Sequence, residues 1–326
     1  MDLEQEELGN LSLVDILRES ISIPRSSSRT FALITVTFIF PLSFAILAHS
    51  LFTHPIINHL KSSFSSSSSS SSYASQWSLL FLYQFVYLLF LFTFSLLSTA
   101  ATVFTVASLY AAKPVSFSST LSAIPTVFPR LFRTFLWVSL IMLLYNATFG
   151  VCVLIIFIAS SYPDSAASVL FLAVVILAFL AAHVYISALW HLASVISVLE
   201  PVCGLAAMAK SRGLLRGRTR MAITMIIAYF SVCGLIGGFF RATVVKAPYE
   251  KGSIWVGPVG KVVIGGALVA VLVLVNLVGL LVQSVFYYVC KSFHHQQIDK
   301  SALYDHLGGY LGEYVPLKSS IQMEII

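Results

Sequence analysis

The sequence predicts an all-α integral membrane protein, with six transmembrane helices and three amphipathic helices lying along the cytosolic interface between them. Three observations carry that prediction. Of the 326 residues 58% are hydrophobic and only 10% are charged, where a water-soluble domain carries roughly 25%. Mean hydropathy is +0.92. Six windows are free of Asp, Glu, Lys and Arg, and each reaches the roughly 20 helical residues needed to cross about 30 Å of hydrocarbon. Disorder, a disulfide-rich secreted scaffold and a free nucleic-acid binder are excluded together, because the formal charge of +6 is spread along a chain that could not stay in water.

Residues 1–29 read as a cytosolic amphipathic segment. The chain opens on acidic MDLEQEE, so no cleavable signal peptide is expected, and the first span acts as a retained signal anchor. Ser12 to Asp15 has the spacing of a capping box. Leu13, Ile16, Leu17 and Ile21 recur at helical spacing, while Asp15, Arg18 and Glu19 take the other face.

The membrane domain is expected over residues 30–290, with spans near Phe31–Leu51, Trp77–Ala111, Thr134–Ser160, Ala166–Leu199, Met221–Phe240 and Val262–Val289. Lipid leaves a backbone no choice but helix, and the alternation of a β-barrel is absent. Between the first two spans the serine run Ser65–Ser72 reads as a flexible linker. Asn146-Ala147-Thr148 matches a glycosylation acceptor but falls inside the third span. Gln84, Asn146, Asn276 and Gln283 read as interhelical hydrogen-bonding groups, and Gly234 and Gly238 form a GxxxG that admits a close helix.

Fourteen of the nineteen Lys and Arg residues fall on one side of this arrangement. That side is therefore assigned to the cytosol, with both termini on it; an endomembrane of the ER or Golgi is the favoured compartment, with the plasma membrane as the alternative. The exception is the fifth connection, with Arg241, Lys246, Lys251 and Lys261. Trp77, Trp137 and Trp190 at or near span ends, and Trp255 in a loop, fit an aromatic belt. After the last span, residues 291–326 form a cytosolic tail in which Leu303, Leu307, Tyr310, Leu311 and Tyr314 make a helical stripe for docking on the bundle or on a partner.

Three connections on the basic side align: Ser12–Arg29, Ser116–Arg133 and Cys203–Arg220. Each starts on a small residue, has an apolar one five positions on (Leu17, Leu121, Met208), an Arg at thirteen or fourteen (Arg25, Arg130, Arg216) and an Arg at seventeen (Arg29, Arg133, Arg220). The pattern suggests a threefold internal repeat of one interfacial helix and two spans. Its arginines are expected at lipid phosphates. Pro24, Pro125 and Pro129 are expected to mark helix breaks.

Chemistry is sparse. No Walker loop, GxSxG, HExxH or CxxC occurs, so no enzyme, cofactor or metal site is expected. The intramembrane polar candidates are Asn146, His183 and Asn276; His183 and His191 lie about 80° apart on the fourth span, and His294 and His295 belong to the tail. No disulfide framework follows from Cys152, Cys203, Cys233 and Cys290. Cys290, beside Lys291 at the membrane edge, is the palmitoylation candidate.

The stretches from Tyr110 (YAAKPVSFSSTLSAIPTVFPRLFRTFLW), from Trp190 (WHLASVISVLEPVCGLAAMAKSRGLLRGR) and from Phe286 (FYYVCKSFHHQQIDKSALYDHLGGYLGEYVPLK) resemble an uncharacterised family of plant multispanning membrane proteins. The resemblance implies source and six-span topology but no catalytic residue. A looser similarity is to the membrane domains attached to some bacterial glycerophosphodiester phosphodiesterases, whose catalytic domain has no counterpart here. The function expected is that of a membrane scaffold or organiser whose partners are membrane lipids, other membrane proteins or further copies of itself, with no nucleic acid. The alternative is a facilitator for a small or lipid-like solute.

Overall fold

The first helix starts where its cap does. Ser12 Oγ accepts from Asp15 N at 3.4 Å, and the Asp15 carboxylate accepts from Ser12 N at 3.1 Å, so two donors at the helix start are satisfied reciprocally. The same carboxylate also accepts from Ser12 Oγ, which with its backbone bond holds Asp15 below the usual carboxylate range. From that cap runs α1 (Leu13–Ser26). The computed structural model describes residue 9 and residues 11–65, 70–113, 116–159, 166–245 and 257–296. The expected tail helix lies outside the described residues, as does the serine run between its helical ends at Ser65 and Ser70.

The order continues as α2 (Ser28–Ile34), a π-helical turn (Thr35–Ile39), α3 (Phe40–Ser65), α4 (Ser70–Tyr110), α5 (Phe117–Ala159), α6 (Ala166–Leu199), α7 (Leu205–Leu214), α8 (Thr219–Phe240), a second π turn (Arg241–Val245) and α9 (Pro258–Phe293). Among the described residues six helical stretches are long and apolar enough to cross a membrane: Ser28–Thr53, Trp77–Tyr110, Phe117–Ile158, Val169–Leu199, Thr219–Val245 and Val259–Phe293. The described residues are all-α.

Packing has two tiers. The helices α4, α6 and α9 all touch one another, and the remaining spans fit around them: α2–α3 against α4 and α9, α5 against α4 and α6, α8 against α6 and α9. The last turns of α4 are buried on every side, from Ser98 and Thr99 through Ala107 and Ser108. Small side chains there let neighbouring backbones come close, which is what drives association where apolar burial alone gives no preference over lipid. Hydroxyls join the elements: Thr105 to Thr120 at 3.1 Å, and Thr134 to Ser197 at 2.7 Å. The core lies at the basic end of the bundle. Toward the other end Leu144 of α5 is 71% exposed and Leu177 of α6 67%, an apolar surface suited to contact with lipid or another apolar partner.

Three expectations change. The third span does not begin at Thr134: α5 is one helix of 43 residues, about 64 Å long. Pro125 and Pro129 stand inside it without ending it, because both rings are on its exposed side while Ala123, Ile124, Val127 and Leu131 pack inward. Tertiary burial here outweighs two missing N–H donors. Among the described residues Gly234 and Gly238 admit no helix, since nothing there lies within 4 Å of a Cβ built on either. Close approach occurs instead at Gly279, where such a Cβ meets Tyr229 at 3.2 Å.

Glycine is required most clearly at Gly217, in the turn before α8, where φ is +85° and a Cβ would stand 2.6 Å from Phe293. Replacing it by alanine is expected to cost about 1–2 kcal/mol from the left-handed backbone alone, with the clash added. Gly213, in the last turn of α7 with open space around it, is expected to behave oppositely: Gly213→Ala gains about 0.5–1 kcal/mol. Thermal unfolding of both variants in detergent checks the pair of signs.

Candidate functional site

Helical phase decides which of the scattered polar residues meet. Asn276 and Gln283 are seven apart on α9, hence on one face and about 10 Å apart along the axis. Both line a cavity of about 370 Å³ between the first, second, fourth, fifth and sixth spans. That is within the roughly 300–1,000 Å³ of small-molecule sites. Its walls are mostly apolar, from residues such as Leu42, Met225 and Leu280, and the lining includes no Asp, Glu, Lys or Arg.

Two polar stations interrupt the apolar wall. At the first, Tyr229 OH donates to Asn276 Oδ1 at 2.8 Å, and Asn276 Nδ2 donates to Ser43 Oγ at 2.8 Å. This joins α8, α9 and α3, and Gly279 makes room for the Tyr229 ring. At the second, His191 Nδ1 lies 2.8 Å from Gln283 Oε1. An amide oxygen only accepts, so Nδ1 carries the proton and Nε2 of the neutral ring is an acceptor. Among the described residues, neither that Nε2 nor the Gln283 amide nitrogen has a protein partner. Trp190 also lines this cavity, with its ring centroid 4.3 Å from that of His191.

A charged knot closes the basic end of the bundle. Glu200, just past α6, is 8% exposed. Its carboxylate binds Lys210 of α7, receives Tyr287 OH of α9 at 2.7 Å, and lies 3.8 Å from Lys291 Nζ. Burial pushes the carboxyl up, but the hydrogen bonds from Lys210 and Tyr287 and the two lysine charges outweigh it, leaving Glu200 below the usual carboxylate range. A second tie lies beside it. The Arg218 guanidinium donates to the carbonyls of Gly9 and Leu11 and stacks 4.8 Å over the Phe293 ring. Glu200 and Arg218 were both visible as charged residues, but their roles depend on α9, which no local pattern reveals.

The other candidates divide. Asn276 joins helices as expected, as do Gln283 and Gln84, the latter 3.0 Å from His49. Asn146 does not: it is exposed and donates back to Met142 O of its own helix at 2.7 Å. His183 sits between aromatic rings of α5 and α8, with centroids 5.9 Å from Tyr145 and 5.7 Å from Phe230. Arg25, Arg29, Arg133, Arg216 and Arg220 are exposed, and Arg130 is partly buried with a contact of its own. Cys290 has no exposed surface, so its thiol would have to leave the core to be acylated. No cluster of metal-ligating side chains occurs among the described residues.

A family model described as a domain of unknown function, DUF8558, matches residues 1–326. No curated protein and no solved structure matches the chain.

Two buried tyrosines give opposite expectations. Tyr287→Phe removes a hydrogen bond to a charged group and is expected to cost about 1.5–3 kcal/mol. The hydroxyl of Tyr110 is buried without a partner among the described residues, so Tyr110→Phe leaves the melting temperature unchanged or raises it. The Glu200 contribution has a definite pH sign: its folded pKa is depressed, so the stabilisation is full above the unfolded value near 4.5 and is lost as pH falls through the lower folded value. Melting temperatures from neutral to acidic pH should therefore converge for wild type and Glu200→Gln only below the usual carboxylate range.

Proposed function

The chain belongs to this family of unknown function along its whole length, and from that premise we propose that it is a multi-pass membrane organiser built of three units, each pairing one interfacial helix with two spans. The observation that carries the reading is burial in register. Counted from Ser12, Ser116 and Cys203, the fourth, eighth and eleventh positions are buried in every copy: Ile16, Ser20 and Ile23; Thr120, Ile124 and Val127; Ala207, Ser211 and Leu214. At the seventeenth, Arg29, Arg133 and Arg220 are exposed, and two positions later Phe31, Phe135 and Ala222 are buried again. Contacts follow the same cycle. The second copy opens α5, which packs on α4; the third, α7, packs on α6; and the first, α1, packs on α9.

α1 supplies the link to lipid. Ile16, Ser20 and Ile23 face the bundle, Arg18, Ser22 and Arg25 occupy another side, and between them Val14 (69%), Leu17 (40%) and Ile21 (47%) are exposed. A helix with protein, polar and bare apolar sides suits the plane where a bilayer meets water. In this reading the basic end faces the cytosol of a plant endomembrane, both termini lie there, and the collar of arginines contacts lipid phosphates. Lipids are the first partners, followed by other membrane proteins or further copies.

The test replaces Arg25, Arg29, Arg133, Arg216 and Arg220 by glutamine, sparing Arg218 because it holds the N-terminal segment. Reconstituted wild-type protein should shift the size distribution of phosphatidylserine-containing vesicles, and the variant should not, since each basic side chain near an anionic surface contributes about 1 kcal/mol. Indistinguishable vesicles from the two proteins would sink the organiser reading. A second reading, a facilitator for a small or lipid-like solute, is favoured by the interhelical cavity and would show as solute flux lost on replacing Gln283.

A further inference from the structure

A polar side chain at the centre of a bilayer has no water to bond, so the direction it faces decides what it needs. The six described spans hold four amide side chains: Gln84, Asn146, Asn276 and Gln283. Three of them reach another helix, Gln84 at His49, Asn276 at Tyr229 and Ser43, and Gln283 at His191. Asn146 faces outward. Thirteen residues separate it from the exposed Arg133 and thirteen from Ala159, the last residue of α5. That is about 20 Å of helix each way, which puts the amide near the middle of a hydrocarbon layer about 30 Å thick. One of its N–H groups donates to Met142 O of its own helix. The other N–H and the oxygen have no partner among the described residues. Outward-facing hydroxyls have no such surplus: Thr148 and Thr224 donate their single proton to a carbonyl one turn back, at 2.8 Å and 2.9 Å.

Asn146 also lies on a seam. Ser139, Leu143, Asn146, Gly150, Val153 and Phe157 follow one another in alternating steps of four and three, the spacing that keeps one face of a helix turned toward a partner helix. Val153 is half-buried and the other five are exposed. Nothing among the described residues lies within 4 Å of a Cβ built on Gly150, so one turn from the amide a second backbone has room to come close. We propose that this face of α5 is the contact between two copies of the protein, inserted in the same sense and related by a twofold axis along the membrane normal. Hydrogen-bond complementarity selects the second copy as occupant. A carboxamide both donates and accepts, so it complements itself, and the twofold axis sets Asn146 opposite Asn146 at one depth. The N–H of one amide then donates to the oxygen of the other. The contact deepens the organiser reading by naming its copy-to-copy surface; it rests on α5 crossing the membrane and is independent of the arginine collar.

Energy transfer between donor- and acceptor-labelled copies of the whole chain tests it, in phosphatidylcholine vesicles over a range of protein-to-lipid ratios. Wild type should show transfer above the level of randomly placed molecules. Asn146→Leu should weaken association about three- to thirtyfold, the scale of an interhelical polar contact in a membrane. Asn146→Gln should keep most of it, and Gly150→Ile should weaken it with the amide intact. Leu177→Ala, exposed on α6 and off the seam, should associate like wild type. Thermal unfolding in detergent establishes that each variant is folded, and Gly150→Ile decides alone if Asn146→Leu is not. Wild-type transfer at the random level overturns the proposal and leaves the face to lipid or to another protein. Undiminished association of the folded seam variants overturns it by putting the contact elsewhere. The glutamine collar variant should associate like wild type in these uncharged vesicles, so failure of the organiser reading and failure of this one are separable.

Discussion

The mutual contact of α4, α6 and α9 is the constraint on which the rest of the structure depends. In a bilayer the hydrophobic effect gives helices no reason to prefer each other to lipid tails, so association rests on close packing and hydrogen bonds. The end of α4 meets that requirement with small and hydroxyl-bearing side chains from Ser98 to Ser108. It leaves a mark as well, for Thr102 Oγ1 and Ser108 Oγ are buried there without partners among the described residues. The cavity adjoins this stretch: Ser98 and Thr99 of α4 line it together with Ala188 of α6 and Asn276 of α9.

Charge is confined to where the inner helices end. Lys113, Glu200 and Lys291 stand at or near the termini of α4, α6 and α9, and all three positions are at least partly buried. The carboxylate between Lys210 and Lys291 is therefore a fastening for α6, α7 and α9 more than a reactive group. Its lysine and tyrosine partners occupy both of its oxygens.

Local features were legible in the sequence. The Ser12 cap, the charge-free spans and the exposed arginines of the hinges each depend on residues within a few turns of one another. Orientation was not legible. Asn146 and Asn276 look alike in an apolar window, yet one turns to the outside and bonds its own helix while the other joins three helices. The difference is set by neighbours such as Ser43, 233 positions from Asn276. Pro125 and Pro129 misled for a related reason: local propensity ends a helix there, and packing across α4 keeps it going.

The joining of Gly9 and Leu11 to Arg218, and of α1 to α9, has a consequence for assembly. Chains are made from the N-terminus, so α1 emerges from the ribosome long before its packing partner exists. Through most of translation its inward residues Ile16 and Ile23 lack the α9 surface that they pack against in the finished bundle. Only when the sixth crossing enters can the ring close, which makes the last helix inserted the one that completes the first.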